Sequence, residues 1–131
     1  MQPKRNTTDS LLDIQHELIA REPIFHRPEH GITRADFESM MADEFWETGA
    51  SGQRYSREYV LDLLEQRYAD GPYEDKWATE DFYCQQIARD NYLLTYTLHQ
   101  DERVTRRATL WRRTDNGWVI VYHQGTIVED K

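Results

Sequence analysis

Residues 105–128 read TRRATLWRRTDNGWVIVYHQGTIV, and this segment has the clearest secondary-structure pattern in the chain. The segment Asp115-Asn116-Gly117 predicts a tight turn, because Asn and Gly tolerate the positive φ angles that short hairpin loops require. The flanking segments are rich in the β-branched and aromatic residues that favour strands. We therefore predict a β-hairpin with Asn116-Gly117 as its two-residue loop.

That loop assigns the hairpin's side chains to two faces, because successive side chains of a strand point in opposite directions. One face is aromatic and polar, with Trp111 opposite Tyr122, Thr109 opposite Gln124, and Arg107 opposite Thr126. The other face is aliphatic with charged edges and carries Ala108, Leu110, Val119, Val121, His123 and Ile127, with Arg106 and Arg112. A one-residue shift or bulge would exchange the two faces, so the assignment depends on the turn.

The rest of the chain predicts helices first and strands last. Caps at Thr8, Thr33 and Ser56 each open a segment with helical spacing of apolar residues, and Thr33 with Asp36 predicts a capping box. Strands are predicted at residues 44–48, 79–88 and 92–99, so that the last two and the hairpin form a four-stranded antiparallel meander. This order predicts the α+β class, with three N-terminal helices packed on one face of a curved antiparallel sheet.

Length and composition place the chain among single-domain soluble proteins. Its 131 residues fit one domain spanning residues 1–131, with residues 1–7 as a flexible tail. The net charge of −8 argues against binding to nucleic acid or to an anionic membrane. The single cysteine, Cys84, excludes an internal disulfide, and no apolar run is long enough to span a bilayer. We expect a cytoplasmic protein.

Two motifs resemble a known superfamily. Residues 43–52, DEFWETGASG, are similar to an acidic-aromatic stretch in the functionally uncharacterised bacterial branch of the nuclear-transport-factor-two-like superfamily. Residues 109–126, TLWRRTDNGWVIVYHQGT, resemble the closing hairpin of that branch, and a similar pattern occurs in the association domain of calcium/calmodulin-dependent kinases. The superfamily also contains SnoaL-like proteins and ketosteroid isomerases. The resemblance implies a cone-shaped sheet with a pocket at its wide end, and a homodimer formed through the outer sheet face.

The resemblance leaves three functions open, because this fold serves many. The first is a homodimeric pocket protein that binds a small, partly apolar organic molecule. The second is a cofactor-independent isomerase, dehydratase or cyclase that works by proton transfer. The third is a pure association module whose cone is filled by its own aromatic side chains.

Two residues are candidates for proton transfer. Glu47 lies on a short strand beside Trp46, where an apolar cone would raise the pKa of its carboxyl group. The alternative is a salt bridge from Glu47 to a hairpin arginine. His123 falls on the aliphatic face in the predicted register, which favours a dimer-interface or structural role, and it would serve as a base only if a bulge turned it inward.

The candidate ligand-binding residues are aromatic or polar and come mostly from one hairpin face: Trp46, Arg107, Thr109, Trp111, Tyr122 and Gln124. A few polar groups in an apolar cavity are typical of ligand sites, and an arginine can bind a carboxylate or enolate oxygen. The alternative is that the aromatic residues fill the core and the polar ones face solvent. We expect no metal and no cofactor, because His26 and His30 are separated by Pro28 and no phosphate-binding or zinc motif is present.

Overall fold

The computed structural model describes residues 1–72 and 76–129. Within these ranges the chain forms three α-helices and one six-stranded sheet. The helices are α1 (Leu12–Ile19), α2 (Arg34–Met40) and α3 (Arg57–Arg67). The strands are β1 (Met41–Thr48), β2 (Arg54–Ser56), β3 (Ala78–Ala88), β4 (Asn91–Gln100), β5 (Arg103–Thr114) and β6 (Gly117–Ile127). Short 3-10 helices occur at Asp9–Leu11 and Pro28–His30.

The strands are ordered β2-β1-β6-β5-β4-β3. The predicted meander is confirmed, because β3, β4, β5 and β6 pair successively in antiparallel fashion. The sheet as a whole is mixed, however, since β1 runs parallel to β6. The prediction of a purely antiparallel sheet was wrong at this one pairing. The residue pattern of β1 does not encode its direction, which is set by a partner strand much later in the chain.

The helix caps follow the sequence closely. Thr33 accepts a hydrogen bond from the backbone N–H of Asp36, and the Asp36 carboxylate accepts one from the backbone N–H of Thr33, which confirms the capping box. The Ser56 hydroxyl accepts from the backbone N–H of Tyr59 and caps α3. Thr8 makes no such bond at the first helix. Strand β1 begins at Met41 rather than Glu44, because α2 runs into it directly.

The hairpin turn lies one residue earlier than predicted. Thr114 pairs with Gly117, so the loop is Asp115-Asn116. Gly117 has φ of 114° and is the first residue of β6. Hairpins often place a residue with a positive φ angle directly after the turn, and glycine adopts this conformation without steric strain. The predicted pairs Trp111–Tyr122, Thr109–Gln124 and Arg107–Thr126 were therefore wrong.

A β-bulge then changes which residues of β6 face inward. Trp111 pairs with Ile120 and Leu110 with Tyr122, which leaves Val121 without a partner in β5. The turn shift alone preserves the predicted faces, because it changes the pairing by two residues. The extra residue reverses them beyond this point. His123 consequently faces the interior, where it is 2% exposed, while Tyr122 and Gln124 face outward.

The core lies between the helices and the inner face of the sheet. Its buried members include Leu18, Phe37, Phe45, Leu61, Leu64, Leu94, Trp111 and Ile120. Trp111 and Trp118 fill the end of the sheet near the β5–β6 turn. At the opposite end, where β4 turns into β5, the helices and the sheet leave a cavity.

The first seven residues contain neither helix nor strand, yet two of them contact the body of the protein. Arg5 forms an ion pair of 2.7 Å with Asp81, and the Thr7 hydroxyl accepts a hydrogen bond of 3.0 Å from the backbone N–H of Cys84. The flexibility of this segment stays a prediction. Among the described residues, no helix has the length and apolar character needed to cross a membrane.

Candidate functional site

A cavity of about 310 Å³ opens between α3, the loop after α1 and the inner face of the sheet. Its apolar wall comes from the loop and from α3, and its polar floor comes from β1, β5 and β6. The residues that line it are Ile24, Phe25, His26, Glu47, Tyr55, Tyr59, Val60, Leu63, Leu64, Arg67, Gln100, Arg103, Arg107 and His123. This size and mixture are typical of sites for small organic molecules.

The loop after α1 is held against the cavity by the conformation of one residue. Phe25 has φ of 66°, which is rare for a bulky side chain. Its carbonyl accepts a hydrogen bond of 2.6 Å from the Tyr68 hydroxyl, and its ring contacts Phe37 and Phe45 edge-to-face. These contacts hold the strained backbone in place, and so they fix this wall of the cavity.

Glu47 and His123 are direct neighbours in the parallel β1–β6 pair. Both face the cavity, and Glu47 is half-buried there. Removal from water raises the pKa of the Glu47 carboxyl group, while the charges of Arg107 and Arg67 act in the opposite direction. Among the residues that the structure describes, none forms a hydrogen bond or close ion pair with this carboxylate. The alternative of a salt bridge to a hairpin arginine is therefore not found.

Arg107 extends across β6 toward the cavity over a residue that lacks a side chain. It pairs with Gly125, and a Cβ atom placed on Gly125 would lie 3.1 Å from the guanidinium carbon. Arg107 Nε donates a hydrogen bond of 2.8 Å to the Thr105 hydroxyl. Burial lowers the pKa of Arg107, yet a guanidinium stays charged in proteins. Gly125 thus provides the space in which a half-buried cation reaches the cavity.

His123 is neutral and its proton position follows from its two neighbours. Burial, with the nearby charges of Arg107 and His26, lowers the pKa of His123 to about 3. Its Nε2 lies 3.3 Å from Arg107 Nη1, and its Nδ1 lies 2.9 Å from the Thr109 hydroxyl oxygen. Because a guanidinium can only donate, Nε2 must accept, and the proton is on Nδ1. Nδ1 therefore donates to Thr109.

Glu22, which no sequence pattern indicated, is the most enclosed carboxylate of the site region, with 0% exposure. It accepts hydrogen bonds from the Tyr96 hydroxyl at 2.7 Å, the Trp111 indole at 3.0 Å and the backbone N–H of Ile24 at 3.2 Å. Burial raises the pKa of Glu22, and the hydrogen bonds to the carboxylate oppose the increase.

Two residues near the cavity, Glu22 and Gly125, were not predicted from the sequence, and only one of them carried a pattern that could have revealed it. Glu22 precedes a proline at the end of α1, and a charged residue in that context normally indicates a solvent-exposed helix end. Gly125, within an otherwise strand-like segment, did carry a usable signal, because glycine inside a strand often marks close approach by another group.

The predicted site residues are only partly brought together. Glu47, Arg107 and His123 line the cavity. Thr109 and Trp111 are buried beneath its floor, where they bond to His123 and to Glu22. The remaining three, Trp46, Tyr122 and Gln124, lie on the outer face of the sheet, which corrects their predicted place in the pocket.

The outer three residues form a cluster of their own. The rings of Trp46 and Tyr122 are 4.6 Å apart, and the Tyr122 hydroxyl lies 2.7 Å from the Thr48 hydroxyl and 2.8 Å from Gln124 Oε1. The physical reason for their position is the bulge at Val121, which turned Tyr122 and Gln124 away from the interior. Trp46 follows from its pairing with Tyr122.

The cavity carries positive charge although the protein is acidic. Three arginines line it, namely Arg67, Arg103 and Arg107, and among the described lining residues Glu47 is the single acid. The whole chain, by contrast, has a net charge of −8. A positively charged cavity in an otherwise acidic protein produces a local positive electrostatic potential, which favours binding of an anion.

By sequence, the chain matches no protein-family model and no curated protein. By structure, it is similar to a cystatin-like fold protein from Burkholderia xenovorans, at 13% identity over 98% of each chain and a TM-score of 0.68. It is also similar to an NTF2-like protein from Cytophaga hutchinsonii, at 14% identity over 94% of this chain and 99% of that one, with a TM-score of 0.64.

A third similar structure is a protein from Parabacteroides distasonis that is provisionally assigned as a ketosteroid isomerase. It shares 17% identity over 97% of this chain and 98% of that one, with a TM-score of 0.66. These similarities confirm the predicted architecture. The chain has the α+β cone fold of these cystatin-like and NTF2-like structures, and its six-stranded sheet is open rather than closed.

Proposed function

We propose that this protein binds a small, partly apolar organic anion, such as a carboxylate, in the cavity between α3 and the sheet. The observation that carries the proposal is the cavity of about 310 Å³ whose walls are apolar and whose polar floor presents Arg107. Charge-assisted hydrogen bonds from a guanidinium to a carboxylate are among the stronger polar interactions in proteins. The apolar wall would hold the organic part of the ligand.

Binding of phenylacetate, compared with phenylacetamide, tests this proposal. The two molecules have nearly the same shape, but only phenylacetate is charged. Calorimetry should give an affinity for phenylacetate at least about tenfold higher, because a hydrogen bond to a charged group contributes about 1.5–3 kcal/mol. Equal affinity for both molecules, or no binding of either, would reject an anion site.

A pair of variants assigns the anion preference to Arg107. Arg107→Met should reduce the preference for phenylacetate to about one, because the side chain keeps its length and loses its charge. Arg106→Met, which alters the exposed neighbour on the outer face, should leave the preference unchanged. Loss of the preference in both variants would mean that general electrostatics, rather than Arg107, selects the anion.

A second function, proton transfer, is favoured by the state of Glu47. The Glu47 carboxylate faces the cavity without a hydrogen-bond partner and has a raised pKa, as expected of a general base. The nearby Arg107 could stabilise the enolate that forms when the base removes a proton from a ketone. Exchange of the α-hydrogens of 4-oxopentanoate in deuterium oxide, followed by NMR, measures this activity. Glu47→Gln should abolish the exchange and preserve binding. If the protein does not accelerate the exchange above its rate in buffer, the proposal of proton transfer is rejected and the proposal of anion binding stands alone.

We also propose a homodimer formed through the outer face of the sheet. Its half-buried apolar side chains, Leu93, Leu110 and Val119, lie beside the Trp46–Tyr122 cluster, and Trp46 is 44% exposed. Contiguous apolar surface of this kind is typical of interfaces. Leu110→Arg should give a monomer by native mass spectrometry, whereas Leu12→Arg, on α1, should not. A wild-type monomer would exclude the dimer.

A further inference from the structure

The entrance of the cavity carries two polar side chains that the proposed anion site does not use. Gln100 and Arg103 both line the cavity and are direct cross-strand partners at the ends of β4 and β5. Directly opposed residues of an antiparallel pair have neighbouring side chains. Arg103 is exposed and Gln100 is half-buried, which places the pair at the entrance rather than on the floor. A guanidinium beside a carboxamide offers several N–H donors to an anion.

The protein itself does not use these donors. Among the described residues, neither the Gln100 nor the Arg103 side chain forms a hydrogen bond or an ion pair, although Asp101 and Glu102 form the turn between them. Six arginines elsewhere in the chain do form ion pairs with acidic residues, namely Arg5, Arg27, Arg34, Arg106, Arg112 and Arg113. The entrance pair therefore keeps its hydrogen-bonding capacity for a ligand.

The entrance pair is separate from the donor on the floor. Arg103 and Arg107 are four residues apart on β5, which separates their Cα atoms by roughly 13 Å. Arg107 is held at the floor, because its Nε donates to the Thr105 hydroxyl at 2.8 Å and its Nη1 lies 3.3 Å from His123 Nε2. Its Nη2 has no partner in the described part of the chain and is left for a ligand. The cavity thus offers donors at two places.

The charges around the cavity favour a ligand with two negative charges. Three guanidinium groups line it, those of Arg67, Arg103 and Arg107, together with the single carboxylate of Glu47. Burial lowers the pKa of Arg107, and the nearby charge of Arg103 adds to this effect, so these two cations repel each other. The charge of Arg67, in contrast, acts on Glu47. One anionic group at Arg107 and a second at Arg103 would balance the excess positive charge.

We infer that the ligand is a dicarboxylate, with one carboxylate bound by Arg107 at the floor and the other bound by Arg103 and Gln100 at the entrance. The apolar wall from α3 and the loop after α1 would contact the hydrocarbon between the two ends. Arg103 is thus a specificity-determining residue, because it distinguishes a molecule with two carboxylates from one with a single carboxylate. This inference rests on the proposed anion binding at Arg107.

Two para-substituted phenylacetates test the second contact. 4-Carboxyphenylacetate has a carboxylate at each end, and 4-carbamoylphenylacetate has the same shape with a neutral amide in place of the second carboxylate. Calorimetry should give about fivefold tighter binding of the dicarboxylate, a modest gain because ion pairs at exposed positions are weak. Equal binding of the two molecules, with phenylacetate still preferred over phenylacetamide, overturns the inference and leaves the proposed function intact.

Arg103→Met assigns the preference to the entrance. The variant should reduce the ratio of the two affinities to about one, and it should change phenylacetate binding by no more than about twofold, because solvent and salt screen an exposed charge. Its fold should be preserved, since Arg103 is exposed and its side chain has no partner among the described residues. Gln100→Leu should reduce the ratio by about half, because it removes a neutral donor and keeps the cation.

Arg89→Met is the matched control. Arg89 lies in the turn between β3 and β4, at the end of β4 opposite to Gln100, so the variant removes the same charge far from the entrance. It should keep the fivefold ratio of the wild type, within the accuracy expected for an exposed charge. Equal losses in Arg103→Met and Arg89→Met would show that net charge selects the dicarboxylate, which overturns the role of Arg103.

Two further outcomes separate this inference from the proposed function. A preference for the dicarboxylate that survives in Arg103→Met and disappears in Arg67→Met assigns the second carboxylate to α3 and overturns the entrance site. Absence of binding for phenylacetate and for both para-substituted molecules rejects the proposed function and this inference with it. Loss of the preference in Arg103→Met alone, with phenylacetate binding retained, supports both.

Discussion

Glu22 and Glu47 are both carboxylates that the fold removes from water, and burial raises the pKa of each. Their surroundings differ. Glu22 is fully enclosed and accepts hydrogen bonds from Tyr96, Trp111 and the backbone N–H of Ile24. Glu47 faces a cavity, and only the more distant charges of Arg107 and Arg67 offset its burial. The first carboxylate is satisfied by the protein itself. The second has hydrogen-bonding capacity left for a ligand.

This difference separates a structural charge from a candidate functional one. A buried polar group is tolerated when its hydrogen bonds are made, and its removal leaves its partners unsatisfied. An unpaired carboxylate on a cavity wall costs stability in the free protein, and such costs are common at functional sites. Burial alone does not distinguish the two cases, but the list of partners does.

The largest expected effect comes from making the same substitution at both sites. Glu22→Leu should lower the free energy of unfolding by at least about 3 kcal/mol, because each buried donor that loses its acceptor costs about 1–3 kcal/mol and the relief of a buried charge offsets only part of this. Glu47→Leu should leave stability unchanged or increase it, because no partner is orphaned. Urea denaturation measures both.

The comparison would fail if the two leucine variants lost similar amounts of stability. Equal losses would mean that Glu47 has strong partners in solution, or that the donors around Glu22 find other acceptors. Either result would remove the basis for treating Glu47 as the free carboxylate of the pair.

A smaller effect is expected from a substitution at Gly125, which lies beside the cavity that Glu47 faces. A methyl group there would lie 3.1 Å from the Arg107 guanidinium, and the end of a flexible side chain moves more easily than the backbone. Gly125→Ala should therefore reduce stability by no more than about 1 kcal/mol and weaken phenylacetate binding about fivefold. Thr126→Ala, an outward-facing change on the same strand, is the control. Unchanged binding in Gly125→Ala would mean that Arg107 does not bind the anion from its observed position.

The smallest effect is a pH dependence that belongs to Glu47. Because its pKa in the folded protein lies above the ordinary value of 4.5, the folded state retains this proton more strongly than the unfolded chain. The contribution of protonated Glu47 to the free energy of unfolding is therefore complete below pH 4.5, and it is lost as the pH rises from 4.5 through the raised pKa. Relative to wild type, Glu47→Gln should become more stable over that window. A difference that is flat or opposite in sign would contradict a raised pKa.

The sequence predicted the elements of this fold better than their contacts. The capping box at Thr33 and the cap at Ser56 depend on residues three apart in the chain, and both are confirmed. The alternation of side chains along β5 was also predicted correctly, since Thr109 and Trp111 lie on the same, inner face of the sheet. Such features depend on local spacing, so local spacing suffices to predict them.

The two faces of β6 depended on one residue that the pattern did not reveal. Val121 is an ordinary strand residue, and nothing in its identity marks it as the unpaired residue of a bulge. It nevertheless placed His123 inside, and Tyr122 and Gln124 outside. Four of the eight predicted site residues lie on their expected face: Glu47, Arg107, Thr109 and Trp111. The other four do not, and they are Trp46 and the three residues that follow the bulge.

Sequence patterns were sufficient to predict the α+β class, the three helices and the meander. They also placed Glu47 and Arg107 on strands that can face a common interior. These depend on periodicity, caps and turn residues, which act over a few positions. The tertiary structure was needed to show that β1 runs parallel to β6, that His123 lines the cavity, and that Glu22 is buried against Tyr96 and Trp111. These depend on packing between distant segments, where one bulge changes the direction of every side chain that follows.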